Sequence, residues 1–139
     1  MKKILLIDDS KFIRTTVAFG LRKFGYEVIE TASGEEGIIA ATIRKPDLIL
    51  LDIVMPNVDG FDVLRELKQD VVTKNIPVIM RTTQNKQELI VRAISMGACG
   101  YIVKPFEVNQ IIGKIRKALR ENGTSLIPES ATCQTTVSA

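Results

Sequence analysis

Apolar and polar positions fall into two alternating regimes along the chain. Continuous apolar runs occur at Ile4-Leu5-Leu6-Ile7 and at Leu48-Ile49-Leu50-Leu51, and each stops abruptly in acid, at Asp8-Asp9 and at Asp52. A short run apolar at every position suits a strand buried on both faces, as in a parallel sheet. Between these runs the apolar residues recur at helical spacing. Ile13, Val17, Leu21 and Phe24 follow Ser10, and Gly25 stands where a C′ glycine ends a helix. Tyr26 to Thr31 reads as a second strand, and Ser33 with Glu36 forms a capping-box signature for a helix that Pro46 closes.

The same alternation continues to the last periodic residue. Phe61, Leu64 and Leu67 mark a third helix behind a loop holding Pro56, Asp59 and Gly60, in which Asp59 is expected to shape the loop. Pro77 to Met80 predicts a fourth strand, and Asn85 with Glu88 opens a helix running through Ala93, Ile94 and Met96 to Gly97. Tyr101-Ile102-Val103 is the fifth strand, and Val108, Ile111, Ile112, Ile115 and Leu119 stripe a last helix. Five such units predict an α/β fold: a five-stranded parallel, doubly wound sheet with five helices and right-handed crossovers. After Gly123 the chain turns rich in Ser and Thr and loses its period. Residues 1–121 are therefore predicted as one domain and 122–139 as a flexible tail.

Composition narrows the chemistry more than the fold. At 139 residues and 45% hydrophobic, the chain can bury one ordinary core. A formal net charge of +3 is too mild to imply a nucleic-acid surface. The chain has no histidine, which removes Ser-His and Cys-His nucleophiles, His-ligated zinc and a His general base. Cys99 and Cys133 stand far apart and suggest neither a disulfide framework nor a metal-ligand spacing. The apolar run at the N-terminus is too short for a signal peptide or membrane span, so a reducing cytoplasm is the expected compartment.

In open parallel α/β sheets, ligands sit beyond the carboxyl ends of the strands, near the point where strand order reverses. The polar residues that interrupt the apolar runs fall at those ends: Asp8 and Asp9, Asp52, Thr82 and Thr83, and Lys104. Three converging carboxylates repel one another unless a cation neutralises them. Oxygen donors without His or Cys favour a hard ion, and Mg²⁺ suits a few carboxylates completed by water and phosphate oxygens. A lysine and a hydroxyl at the same edge can bond phosphoryl oxygens, which suits a phosphoryl group carried on a carboxylate. Taken singly, Asp8 and Asp9 could simply favour the start of the first helix, and Lys104 could be a solvated lysine. Those readings do not explain why all the charges interrupt strands at one edge. An Asp-nucleophile phosphatase is disfavoured, because Asp52-Ile53-Val54 lacks a second carboxylate to act as acid or base.

At these residues the chain resembles the response-regulator receiver family, from Lys3 to Glu121. The resemblance rests on Asp8-Asp9, on Leu50-Leu51-Asp52-Ile53-Val54-Met55-Pro56 with Asp59-Gly60, on Thr82, and on Gly97-Ala98 running to Tyr101 and Lys104-Pro105-Phe106. In size and texture it is most similar to stand-alone chemotaxis-type (CheY-like) regulators. That resemblance implies a flavodoxin-like strand order 2-1-3-4-5. It implies that Asp52 accepts a phosphoryl group from a partner sensor histidine kinase, the only chemistry expected being the chain's own phosphorylation and dephosphorylation. Asp9, Asp52 and the backbone carbonyl of Val54 would bind Mg²⁺ directly, with Asp8 acting mainly through water. Lys104 would pair with the phosphate, Lys104-Pro105 would be a cis peptide, and Thr82 would move to bond the phosphate while Tyr101 turns inward. A downstream protein target would then read the face made by helix four, strand five and helix five. Neither nucleic acid nor membrane is an expected direct partner, and the state is a monomer or a phosphorylation-dependent dimer. The alternatives are the receiver half of a longer transcription regulator, or a receiver that acts without phosphorylation.

Two positions depart from the family pattern. Arg81 stands where an apolar residue is usual, and should reach an edge or a carboxylate, because a buried guanidinium without a counter-charge is costly. Thr83 replaces a smaller residue and is expected to narrow access to Asp52, slowing reaction with small phosphodonors and hydrolysis of the aspartyl phosphate. Phe12 and Phe19 lie about seven residues apart on one face of the first helix, away from its apolar stripe. Phe12 is therefore a candidate docking residue for the kinase.

Overall fold

Ile4, Leu5, Leu6 and Ile7 are completely buried, and so are Leu48, Ile49, Leu50 and Leu51. Burial on every side is what the two unbroken apolar runs predict, and it makes them the inner strands of the sheet. The structure, a computed structural model, describes residues 2–55, 58–82, 87–103 and 108–119, and of Val54 and Val58 only the backbone.

In chain order the elements are β1 (Lys3–Ile7), α1 (Lys11–Lys23), β2 (Glu27–Thr31), α2 (Gly34–Arg44), β3 (Leu48–Asp52), β4 (Val54–Met55), β5 (Val58–Asp59), α3 (Gly60–Gln69), β6 (Val78–Thr82), α4 (Gln87–Ser95), β7 (Gly100–Val103) and α5 (Val108–Leu119). The main sheet has five parallel strands in the order β2-β1-β3-β6-β7, which is 2-1-3-4-5 when only its own strands are numbered. The short antiparallel pair β4 and β5 was not expected from the sequence, which reads there only as a loop.

Because successive strand residues point to opposite faces, the sheet builds two apolar layers. Leu5, Ile7, Ile49, Leu51, Val78 and Met80 face one way and pack with Phe61, Leu64 and Leu67 of α3. Ile4, Leu6, Leu48, Leu50 and Ile79 face the other way, against Val17 and Leu21 of α1 and Ile111, Ile112 and Ile115 of α5. Each such aliphatic side chain contributes roughly 1.5–3 kcal/mol through burial.

The helix ends follow the predicted signals with two differences. Ser10 Oγ accepts the Ile13 N–H at 3.3 Å and starts α1, while Gly25 takes the left-handed φ of 92° just beyond it. Phe24 does not join the buried stripe. The helix ends at Lys23, so Phe24 becomes its C-cap and is 46% exposed, and Ala18 and Gly20 are buried beside Val17 and Leu21 instead. At α2, Ser33 Oγ accepts the Glu36 N–H at 3.2 Å, but the Glu36 carboxylate accepts from Ala32 N–H at 3.1 Å, one residue before the position a capping box uses. Asp59 caps α3, accepting the Phe61 N–H at 2.8 Å, in keeping with its expected role in shaping the loop.

Cys133 and the predicted tail lie outside the described residues. Among the described residues no helix is long and apolar enough to cross a membrane.

Gly60 ties α3 to the end of β3. Its N–H donates to Ile53 O at 2.8 Å, and a Cβ there would lie 2.6 Å from Ile53 Cα and against the Asp52 carbonyl. Those atoms are backbone and cannot swing aside. Gly60→Ala is therefore expected to cost about 1–3 kcal/mol from overpacking. Urea unfolding checks this, and a midpoint equal to that of the parent would contradict it.

Candidate functional site

The register of the sheet determines which polar residues meet at its carboxyl end. Ile7 pairs with Leu51 and Leu51 with Met80, so one step further along the strands come Asp8, Asp52 and Arg81, with Asp52 and Arg81 directly paired. Paired residues of adjacent parallel strands project to the same face. Two carboxylates and a guanidinium thus form one row across β1, β3 and β6. Asp9 follows Asp8 in the turn before α1 and is exposed.

Asp8, Asp9 and Asp52 each present a carboxylate oxygen within 4.8 Å of the others. Asp8 is completely buried and Asp52 nearly so, and the mutual repulsion of such groups favours a cation among them. Every donor is a hard oxygen, so the set fits Mg²⁺ or a similar ion.

Asp8 is held at three atoms. Its Oδ1 accepts the Ser10 N–H at 2.9 Å, its Oδ2 is ion-paired with Arg81 Nη1, and its backbone carbonyl accepts from Arg14 Nη1 at 2.8 Å. Arg81 is completely buried. To reach Asp8 its side chain runs from β6 past the end of β3 to the end of β1, so the expectation that Arg81 finds a carboxylate is met inside the pocket itself. Sequence reading did not find Ser10 or Arg14 as supports for Asp8. A signal existed for Arg14, a charged residue next to Ile13 on the inner side of α1.

Thr82 ends β6 and is buried, one residue beyond Arg81, and pairs with Val103. Tyr101 lies on β7, paired with Met80, and is half-buried with the Lys114 ammonium 5.1 Å from its ring centroid. Burial, and after it the neighbouring Lys117, pushes the Lys114 ammonium below its usual pKa. Pro56, Thr83, Asn85, Lys104, Pro105 and Phe106 lie outside the described residues. The Val54 backbone, whose carbonyl is a candidate metal ligand, belongs to β4 just after Asp52. Phe12 takes no part in the acidic row: it is 76% exposed on α1, with Phe19 also exposed on the same helix.

A doubly wound parallel sheet with clustered carboxylates at its strand ends, in a chain without histidine, defines an α/β domain with an acidic site and excludes a hydrolase built on histidine. The chain belongs to the response regulator receiver domain family, whose model matches residues 4–116. It is 36% identical over 122 residues to the phosphate regulon transcriptional regulatory protein PhoB of Pseudomonas aeruginosa, covering 88% of this chain and 53% of that protein. It is 37% identical over 131 residues to the DNA-binding dual master transcriptional regulator RpaA of Synechocystis, covering 94% of this chain and 54% of that one. The chain spans about half the length of these curated relatives. Among solved structures, the chemotaxis protein CheY4 of Vibrio cholerae is similar with a TM-score of 0.81 at 32% identity, over 84% of this chain and 98% of that one. Receiver domains of two-component response regulators are signalling modules that work with histidine kinases and bind Mg²⁺ through an acidic pocket, here the cluster of Asp8, Asp9 and Asp52.

The buried pair allows a direct test of its energetics. Asp8→Asn removes the carboxylate facing Arg81 and is expected to cost about 3–5 kcal/mol of stability. Adding Arg81→Met should recover much of that loss. Chemical denaturation of the two single variants and the double variant measures the coupling, and simple additivity would show that the pair contributes nothing.

Proposed function

We propose that this chain is a phosphoryl-accepting receiver, with Asp52 as the acceptor and a surface around Tyr101 as its output. The observation that carries the reading is the cluster of Asp8, Asp9 and Asp52 at the strand ends. In the reaction, an Asp52 carboxylate oxygen attacks the phosphorus of a phosphohistidine on the kinase; the new O–P bond forms as the P–N bond breaks, and the freed imidazole nitrogen takes up a proton. Asp9, Asp52 and the Val54 carbonyl would hold Mg²⁺, with Asp8 acting through water. When bound, the ion supplies neutralisation of the phosphoryl oxygens. Lys104 pairs with the phosphate and Thr82 donates its hydroxyl to it, drawing β6 toward the acceptor as Tyr101 turns inward. The downstream protein then reads the face of α4, β7 and α5, and phosphorylation-dependent dimerisation would use the same face. The cytoplasm suits this role, and residues 122–139 form a tail outside the receiver.

Beryllofluoride with Mg²⁺, a mimic of the phosphoryl group, should shift the NMR signals of Thr82 and Tyr101 in the parent protein, whereas Asp52→Asn should show no such shift. An unchanged parent spectrum would instead support a receiver that acts without phosphorylation.

The docking role of Phe12 rests on its exposure just after the acidic pair. Phe12→Ala should slow phosphoryl transfer from a partner kinase about tenfold or more, in line with the loss of a buried aromatic anchor at an interface. Its reaction with a small phosphodonor should stay unchanged, and an equal loss in both assays would sink the assignment.

A second reading is favoured by the lengths and names of the relatives, which are transcriptional regulators about twice as long. In it the receiver is the regulatory half of a DNA-binding protein. A longer natural transcript encoding a helix-turn-helix domain downstream of residue 139 would establish it.

A further inference from the structure

The ion pair between Arg81 and Asp8 sits inside the pocket that the preceding reading assigns to Mg²⁺, and this position is more informative than its contribution to stability. Arg81 belongs to the same row as Asp8 and Asp52, it is completely buried, and its guanidinium reaches the carboxylate two strands away by passing the end of the strand that carries Asp52. Both Asp8 oxygens are engaged, one by Arg81 and the other by the Ser10 N–H. One of the three negative charges of the cluster is therefore balanced by the protein itself.

We propose that Arg81 is a resident counter-cation of the acidic pocket, which holds Asp8 away from Mg²⁺ and so lowers the affinity of the pocket for the ion. The inference rests on the assignment of the pocket to Mg²⁺. Two physical effects act in the same direction. A fixed positive charge repels an incoming divalent cation, strongly so where burial keeps the effective dielectric low. In addition, a carboxylate already held by a guanidinium and a backbone N–H must give up or share those bonds before it can orient the water shell of the ion. The geometry also fits a division of labour: Asp9 is the exposed member of the cluster, while Asp8 is committed to Arg81.

The test is Mg²⁺ titration by calorimetry of the full chain and of two variants. Arg81→Met keeps an unbranched side chain but removes the charge, and should bind Mg²⁺ roughly tenfold tighter. Arg81→Lys keeps the charge and should bind about as weakly as the parent. Equal affinity of the parent and Arg81→Met overturns the inference while leaving the Mg²⁺ site standing. Absence of Mg²⁺ binding in all three proteins overturns both the inference and the assignment of the pocket. Should Arg81→Met fail to fold, the parent alone decides: saturating Mg²⁺ should move the NMR signal of the Arg81 Nε–H as the ion pair loosens, and a signal that stays in place overturns the inference.

Discussion

Strands enclosed on both faces have nowhere to carry charge along their length, because a charged side chain there would be buried against a helix. Charge is admitted only where such a strand ends. In this molecule β1 and β3 obey that rule closely, and their parallel alignment means that their ends coincide. Clustering of the carboxylates is therefore a consequence of how the sheet is built, and the local sequence around each acid has little to do with it. Gly60 adds to this by letting α3 begin directly against the backbone of Asp52 and Ile53, so the acceptor segment is braced from behind as well as from its neighbouring strands.

Arg81 is the exception that tests the rule. It lies within β6, a strand whose five residues are all buried, yet it is tolerated because the same register that would have buried it alone sets it level with Asp8 and Asp52. A guanidinium is long enough to cross a neighbouring strand, and strands lie about 4.8 Å apart. Lysine would cross with a single point of contact, whereas arginine offers a planar fork that meets a carboxylate over a wider range of positions. The acidic end of the sheet and the basic residue thus make each other possible.

Much of the fold was legible in the sequence, since unbroken apolar runs and helical stripes are strong signals and the strands and helices they imply are present. The strand order was legible only through family resemblance, because periodicity says which residues are buried but not which strands are neighbours. Phe24 was misplaced because its spacing fits the α1 stripe while the helix stops one residue earlier, at a point decided by Gly25. The β4 and β5 pair escaped notice, two residues being too few to show a period. In the site, the acids were legible as interruptions of apolar runs. Ser10 was not, because what it does for Asp8 depends on the entry angle of α1, which no local pattern encodes, and Arg14 showed only as a charged residue beside Ile13.

The Arg81 to Asp8 pair has one more consequence, for the alignment of the strands rather than for the metal. Successive residues of β6 face opposite sides of the sheet, so a slip of one position would turn Arg81 into the layer formed by α3 and bring Met80 or Thr82 into the acidic row. Apolar strands such as these carry few marks by which one alignment is preferred to the next, since Leu, Ile, Val and Met are interchangeable at the level of burial. A single charged residue answered by a single acid two strands away distinguishes the correct alignment from every shifted one, and so acts as a registration pin for the centre of the sheet.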